Sequence, residues 1–185
     1  MKLEKVKEEK KEEVKKEVKE EKKDENSKEI VGESSRAKLT LPRDLTSFYT
    51  PSEKYDTIKG NQDKGNIGYT LSRKDPDRSI YVNICTDSSD TLEEAIVFHN
   101  EHLSKGEEPF TEYTLGEYSG YRATRYTNYW NSANDTTYTY KLSYPVGDKN
   151  VILSCSVKLR DNSDDTTGLE DILLAALQQL KVEVK

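Results

Sequence analysis

The 185-residue chain carries 29 Lys and Arg against 35 Asp and Glu, a formal net charge of −6, with 32% hydrophobic and 35% charged residues. An acidic chain lacks the basic surface that neutralises phosphates, which argues against nucleic acid as a partner. No apolar run approaches the roughly 18 residues that a membrane span needs, so no transmembrane segment is predicted.

The charge is segregated along the chain. Residues 1–29 hold eleven Lys and eleven acidic residues and are net neutral, so residues 30–185 carry the whole −6. All twelve Tyr and the only Trp fall between Tyr49 and Tyr144. The first segment alternates Lys and Glu in blocks of two, which supports helix through i,i+4 pairs. Its apolar positions, Leu3, Val6, Val14 and Val18, are too few for a coiled-coil seam. It therefore reads as a solvated helical or disordered spacer. Asn26 to Arg36 reads as a hinge, so residues 1–36 are tail and linker and residues 37–185 a single domain.

Within that domain the elements follow in order. Lys38–Pro42 predicts a short strand stopped by proline, and Phe48 to Gly65 is ill defined. Asn66–Ser72 and Ser79–Thr86 alternate as strands. Asp90 with Glu93 predicts the start of a helix that runs to about Lys105, with Leu92, Ile96, His99 and Leu103 inward. Four strands are expected next, at Phe110–Leu115, Tyr118–Trp130, Thr136–Tyr144 and Asn150–Leu159, with hairpin chemistry at 131–135 and 145–148. A closing helix over 168–180 carries the apolar stripe Leu169, Ile172, Leu173, Ala176, Leu177 and Leu180. Strand runs separated by two isolated helices predict an α+β fold, a mainly antiparallel sheet with helices packed on its faces.

This order resembles the PsbP-like superfamily, which includes an extrinsic photosystem II subunit, a Ran-binding import factor and bacterial lipoproteins. The resemblance covers about residues 37–184. It rests on Leu39-Thr40-Leu41-Pro42, on Thr91-Leu92-Glu93-Glu94-Ala95, and on Leu115-Gly116-Glu117-Tyr118-Ser119-Gly120-Tyr121-Arg122-Ala123. It implies an α/β/α sandwich. Among its bacterial lipoproteins a charged linker separates a lipidated cysteine from the domain, and residues 1–36 are similar to such a linker. The resemblance thus implies an extracytoplasmic, membrane-anchored location with the leader removed, in preference to a cytoplasmic one.

Few constellations point to chemistry. His99 and His102, three apart with Glu101 between them, do not make the His-Glu-x-x-His of zinc proteases, and no third ligand is evident, so no metal site is expected. Asp161-Asn162-Ser163-Asp164-Asp165 gathers oxygen donors but fails the EF-hand pattern, and Thr167 with Glu170 forms a capping box that explains the stretch as a helix start. There is no Gly-x-Ser-x-Gly elbow and no phosphate loop. Cys155 shares the apolar face of its strand whereas Cys85 falls opposite the apolar face of its own, which predicts two free thiols on opposite sides of a sheet. No catalytic residue and no cofactor are assigned.

The most informative stretch is Tyr118 to Tyr144. Arg125, Tyr126, Tyr129 and Trp130 approach the hairpin end and are the candidate partner-binding residues, since Tyr, Trp and Arg build binding hot spots. The competing account is that these rings make cross-strand pairs and cover the sheet. The leading expectation is a non-enzymatic binding or scaffold domain, monomeric, tethered through its charged tail, with an unknown protein or small ligand as partner. Two alternatives remain open: an enzyme with a cleft lined by Tyr and Arg, and an oligomer driven by the tail.

Overall fold

Asn150 to Leu159 alternates polar and apolar residues with a period of two, and this period governs the architecture. The computed structural model describes residues 27–51, 55–73, 78–129, 133–161 and 166–185. Among them the chain forms β1 (Glu29–Glu33), β2 (Ala37–Pro42), β3 (Thr57–Asp63), β4 (Asn66–Arg73), β5 (Arg78–Thr86), α1 (Leu92–Glu101), β6 (Thr111–Leu115), β7 (Tyr118–Tyr129), β8 (Ala133–Val146), β9 (Lys149–Asp161), α2 (Leu169–Gln179) and β10 (Lys181–Val184). The fold is α+β, as the element order predicts.

Seven strands make one sheet in the order β3-β4-β5-β9-β8-β7-β6, every neighbouring pair antiparallel. Two meanders, β3-β4-β5 and β6-β7-β8-β9, are joined through α1, and β9 closes the sheet against β5. Tight turns set the register. Leu115 pairs with Tyr118 across Gly116-Glu117, and Val146 pairs with Lys149 across Gly147-Asp148. Gly116 has φ +59, in the left-handed region that favours glycine, and a Cβ there would stand 2.6 Å from Leu174 Cδ1 and displace that side chain of the helix packed on the turn.

One face of this sheet is the core. Along β9, Val151, Leu153, Cys155, Val157 and Leu159 are all buried. Register places Ile80, Val82 and Ile84 of β5 beside Leu159, Val157 and Cys155, and Tyr140 and Leu142 of β8 on the other side. Helix α2 covers this face with Leu169, Ile172, Leu173, Ala176 and Leu177, the stripe expected from sequence. A second sheet, β1-β2-β10, adds Ile30, Leu39 and Leu41 to the same cluster. The opposite face carries α1, which lies over β7 and β8. There Phe110 and Ala123, both buried, stand apart from the main cluster. Cys85 pairs with Ser154 and Ile84 with Cys155, so the two free thiols face opposite sides as the alternation predicts.

Four local expectations are corrected. Part of the expected hinge at 26–36 is β1, whose Ile30 is fully buried. The ill-defined stretch 48–65 contains β3. The first helix begins one residue later than expected, with Thr91 as the cap and Glu94 completing the box, because Thr91 accepts from the Glu94 amide while the Glu94 carboxylate accepts from the Thr91 amide. It ends at Glu101, and Leu103 is exposed. The loop residues 162–165 lie outside the described residues.

Because Ile30 is part of the core, Ile30→Ala is expected to cost about 2–5 kcal/mol, the range for emptying a packed aliphatic site. A urea denaturation curve would show a lower midpoint with an unchanged slope. An unshifted midpoint would return β1 to the linker.

Candidate binding surface

Strand β7 alternates, so Arg122, Thr124 and Tyr126 share the core-side face and Tyr121, Ala123 and Arg125 the other. Register sets Arg122 beside Tyr140, Thr124 beside Tyr138 and Tyr126 beside Thr136. α2 begins over this part of the sheet and projects Glu170 from its first turn. Arg122 Nη1 lies 2.9 Å from Glu170 Oε1, the Tyr113 hydroxyl donates to Oε2 at 2.6 Å, and the Tyr140 hydroxyl donates to Oε1. The Arg122 guanidinium also sits over two rings, 4.1 Å from the Tyr113 centroid and 5.0 Å from that of Tyr138. Sequence reasoning assigned Glu170 to a capping box with Thr167. Instead Gly168 is the cap, with φ 73 and no side-chain cap bond, and the carboxylate turns to the sheet. The available signal was the pairing of Arg122 and Tyr140 on one face, with a first-turn glutamate to receive them.

The electrostatics of this cluster are those of a closed set. Burial opposes the charge on Glu170, but the bonds from Tyr113, Tyr140 and Arg122 outweigh it and hold the carboxyl below its ordinary range. Burial, reinforced by the bond to Glu170, pushes the Tyr140 and Tyr113 phenols up. Such phenols stay protonated at neutral pH, and the carboxylate is already engaged by three donors. The arrangement anchors a helix and offers no free base.

At the other end of α2, the Tyr118 hydroxyl donates to the Leu177 carbonyl at 3.4 Å, and the Tyr144 hydroxyl shares its one proton between the carbonyls of Leu180 at 2.8 Å and Leu177 at 3.1 Å. These phenols add to the Leu180 amide at the Leu177 carbonyl and engage the Leu180 carbonyl, at the terminus where a helix runs out of its own donors.

The four sequence-predicted residues are divided by the strand's alternation. Tyr126 is 57% exposed on the core-side face, just past Arg122 and Tyr138. Arg125 is half exposed on the opposite face, 3.4 Å from Glu107. The Tyr126 amide donates to the Gly106 carbonyl, and at Gly106 (φ +84) a Cβ would stand 2.5 Å from the Tyr126 carbonyl oxygen, so residues 106–108 close the outer edge of β7. Tyr129 enters through its backbone, paired with Ala133, and Trp130 lies outside the described residues. Tyr126 thus shares its face with Arg122, as the alternation predicts, and register sets it beside Thr136 with Tyr138 one diagonal step away.

The remaining candidates are engaged locally. His99 Nε2 is 3.0 Å from the Glu108 carbonyl and its ring meets Phe110 edge-on, while His102 stacks on Phe98. Among the described residues no three metal-binding side chains cluster. Burial pushes the Cys85 and Cys155 thiols up, away from the reactive thiolate. Asp87 and Lys141 pair at 2.6 Å, with Ser154 Oγ 2.9 Å from the amine. A polar cleft of about 260 Å³ is lined by Arg36, Thr86, Asp87 and Asp90, and an open groove of about 920 Å³ by Arg43, Asp44 and Lys59. Neither includes Tyr113, Arg122 or Tyr140.

No family model and no curated protein matches the chain. Among solved structures it is similar to LpqN of Mycobacterium tuberculosis, a protein involved in cell envelope biogenesis, with 15% identity, a TM-score of 0.45, and coverage of 83% of this chain and 90% of that one. No helix among the described residues is long and apolar enough to cross a membrane.

Glu170→Gln keeps the shape but removes the charge, and is expected to lower stability by about 1–3 kcal/mol at pH 7. The carboxyl is depressed in the folded state, so its contribution is present above the ordinary value of 4.5 and is lost as pH falls through the folded value. Denaturation across pH 2–7, about the span that brackets a carboxylate, should show the two proteins converging in acid. A constant gap would mean that the charge contributes nothing.

Proposed function

We propose that the chain is a non-enzymatic binding or scaffold domain, and that its working surface is the core-side end of the β6-β7-β8 sheet. The observation that carries this reading is the exposed Tyr126 on the same face of β7 as Arg122, whose guanidinium lies over two tyrosine rings. A guanidinium fixed between rings loses little freedom when a partner covers it, and exposed Tyr supplies contact area at low entropic cost. The long paired strands β7 and β8 hold this surface rigid. The locked state of Glu170 and its phenols supports binding over acid–base catalysis, which needs a group free to exchange a proton near neutral pH.

The Lys/Glu-rich composition of residues 1–26 suits a spacer, and β1 begins close behind it. Together with the PsbP-like order of the domain, this supports a tethered, extracytoplasmic protein of the bacterial lipoprotein kind.

The test is a photo-crosslinking amino acid placed at position 126 of the full chain in intact cells, with the same group at the exposed turn residue Asp148 as control. A discrete adduct from position 126, absent from position 148, is expected. Tyr126→Ser should meanwhile stay within about 0.5 kcal/mol of the parent in thermal unfolding, as surface changes do. Equal or diffuse labelling from both positions would remove the surface from consideration.

A further inference from the structure

Helix α1 has apolar side chains on two faces, and the fold uses only one. Leu92, Ala95, Ile96 and His99 turn toward the sheet, yet none of the ten helical residues is buried. The helix is held largely by polar contacts: His99 to the Glu108 carbonyl, and Asn100 Oδ1 accepting from the Phe110 amide at 2.7 Å. The outward stripe Glu94, Val97, Phe98 and Glu101 follows the i, i+3, i+4, i+7 spacing of a single helix face. Phe98 is 73% exposed and Val97 47%, and Leu103 follows at 43%. Half of the exposed large hydrophobics among the described residues therefore fall within 97–103. Isolated exposed apolar residues need no explanation, but a cluster on one helix face does.

The Phe98 ring is already fixed. It stacks on His102 with centroids 4.4 Å apart, and His102 Nδ1 lies 2.9 Å from the Phe98 carbonyl. A partner covering this ring would pay little ordering entropy for it. The rim is acidic: Asp90, Glu93, Glu94, Glu101 and Glu108 are all exposed around the helix, against Lys105, Arg125, which is paired with Glu107 at 3.4 Å, and the Arg36 guanidinium, which is paired with Asp90 at 2.8 Å. This charge selects the occupant. A second copy docking through the same face would oppose carboxylates to carboxylates, and an anionic lipid surface would be repelled in the same way.

We propose that the outer face of α1, centred on Phe98, docks a basic amphipathic segment of a partner protein, with aliphatic side chains on Val97 and Phe98 and Lys or Arg on the rim. This face lies on the opposite side of the sheet from Tyr126, so it stands or falls independently of the surface proposed above.

The test uses the full chain and a fluorescein-labelled peptide of Leu and Lys with Leu at helical i, i+3, i+4 spacing, followed by anisotropy. A twin peptide with Glu in place of Lys serves as the charge control. The Lys peptide should bind and weaken as salt rises, and the Glu peptide should not. Phe98→Ser and Glu101→Lys should each weaken binding about tenfold or more, the scale of losing one anchor contact, while Tyr126→Ser should leave it unchanged. Amide chemical shifts in the wild-type chain should move along 93–103, which keeps the proposal open to refutation whatever the variants do. Binding unaffected by Phe98→Ser, equal binding of both peptides, or shifts elsewhere would overturn it. So would a dimer that Phe98→Ser dissociates, which would make the occupant a second copy. A crosslink from position 98 into residues 1–26 of the same chain would make it the protein's own tail.

Discussion

The structure depends on how α2 is fastened to the sheet. Burying its apolar stripe covers the row from Val151 to Leu159, but that attraction is non-directional and would tolerate sliding. Direction comes from tyrosine. Tyr113 and Tyr140, with Arg122, hold Glu170 in the first turn, and Tyr118 and Tyr144 hold the Leu177 and Leu180 carbonyls at the last. Each ring contributes apolar area to the interface and each hydroxyl a directional bond at a helix terminus. Much of the domain's tyrosine richness is thereby explained as docking chemistry. Both ends of the helix are pinned, so its register on the sheet is specified as well as its burial.

This fastening also decides what the sheet can offer to a partner. Where α2 lies, the phenols and the arginine are engaged. Beyond its first turn the same face continues to Tyr138 and Tyr126, and there the rings are progressively more exposed. Arg122 belongs to both regions: one side of its function is the bond to Glu170, and the other is its position between two rings. A binding surface built on such a residue inherits its rigidity from the core contact. The two competing accounts of the aromatic stretch, packing and recognition, therefore apply to different parts of the same strands.

Legibility in the sequence followed the strength of the periodic signal. The α2 stripe and the alternation of β5 and β9 could be read because burial on one face forces a regular pattern of large aliphatics. β1, β3 and β10 could not. Glu29–Glu33 holds Ile30 in a run that continues the charged tail, Thr57–Asp63 is mostly polar, and Lys181–Val184 follows the helix without a turn signal. Their placement comes from tertiary pairing, which overrides weak local preference. The role of Glu170 was hidden for another reason. A glutamate four residues into a helical signal fits a cap from local sequence, and only the cross-strand neighbours Arg122 and Tyr140 show where its charge is needed. The division of Arg125 from Tyr126 was legible as strand alternation, but the cross-strand register that sets Tyr126 beside Thr136 and Arg122 beside Tyr140 was not.

That division of faces gives the molecule two unlike surfaces. On the α2 side, aromatic rings surround an arginine paired with Glu170. On the α1 side, a rigid phenylalanine sits among carboxylates. The exposed carboxylates of the α1 rim can act on a partner, whereas Glu170 is engaged by its own donors. Charge that is locked in bonds specifies the fold, and charge left on a rim selects what may approach. In this chain the same residue type does both, and the strand and helix periods decide which.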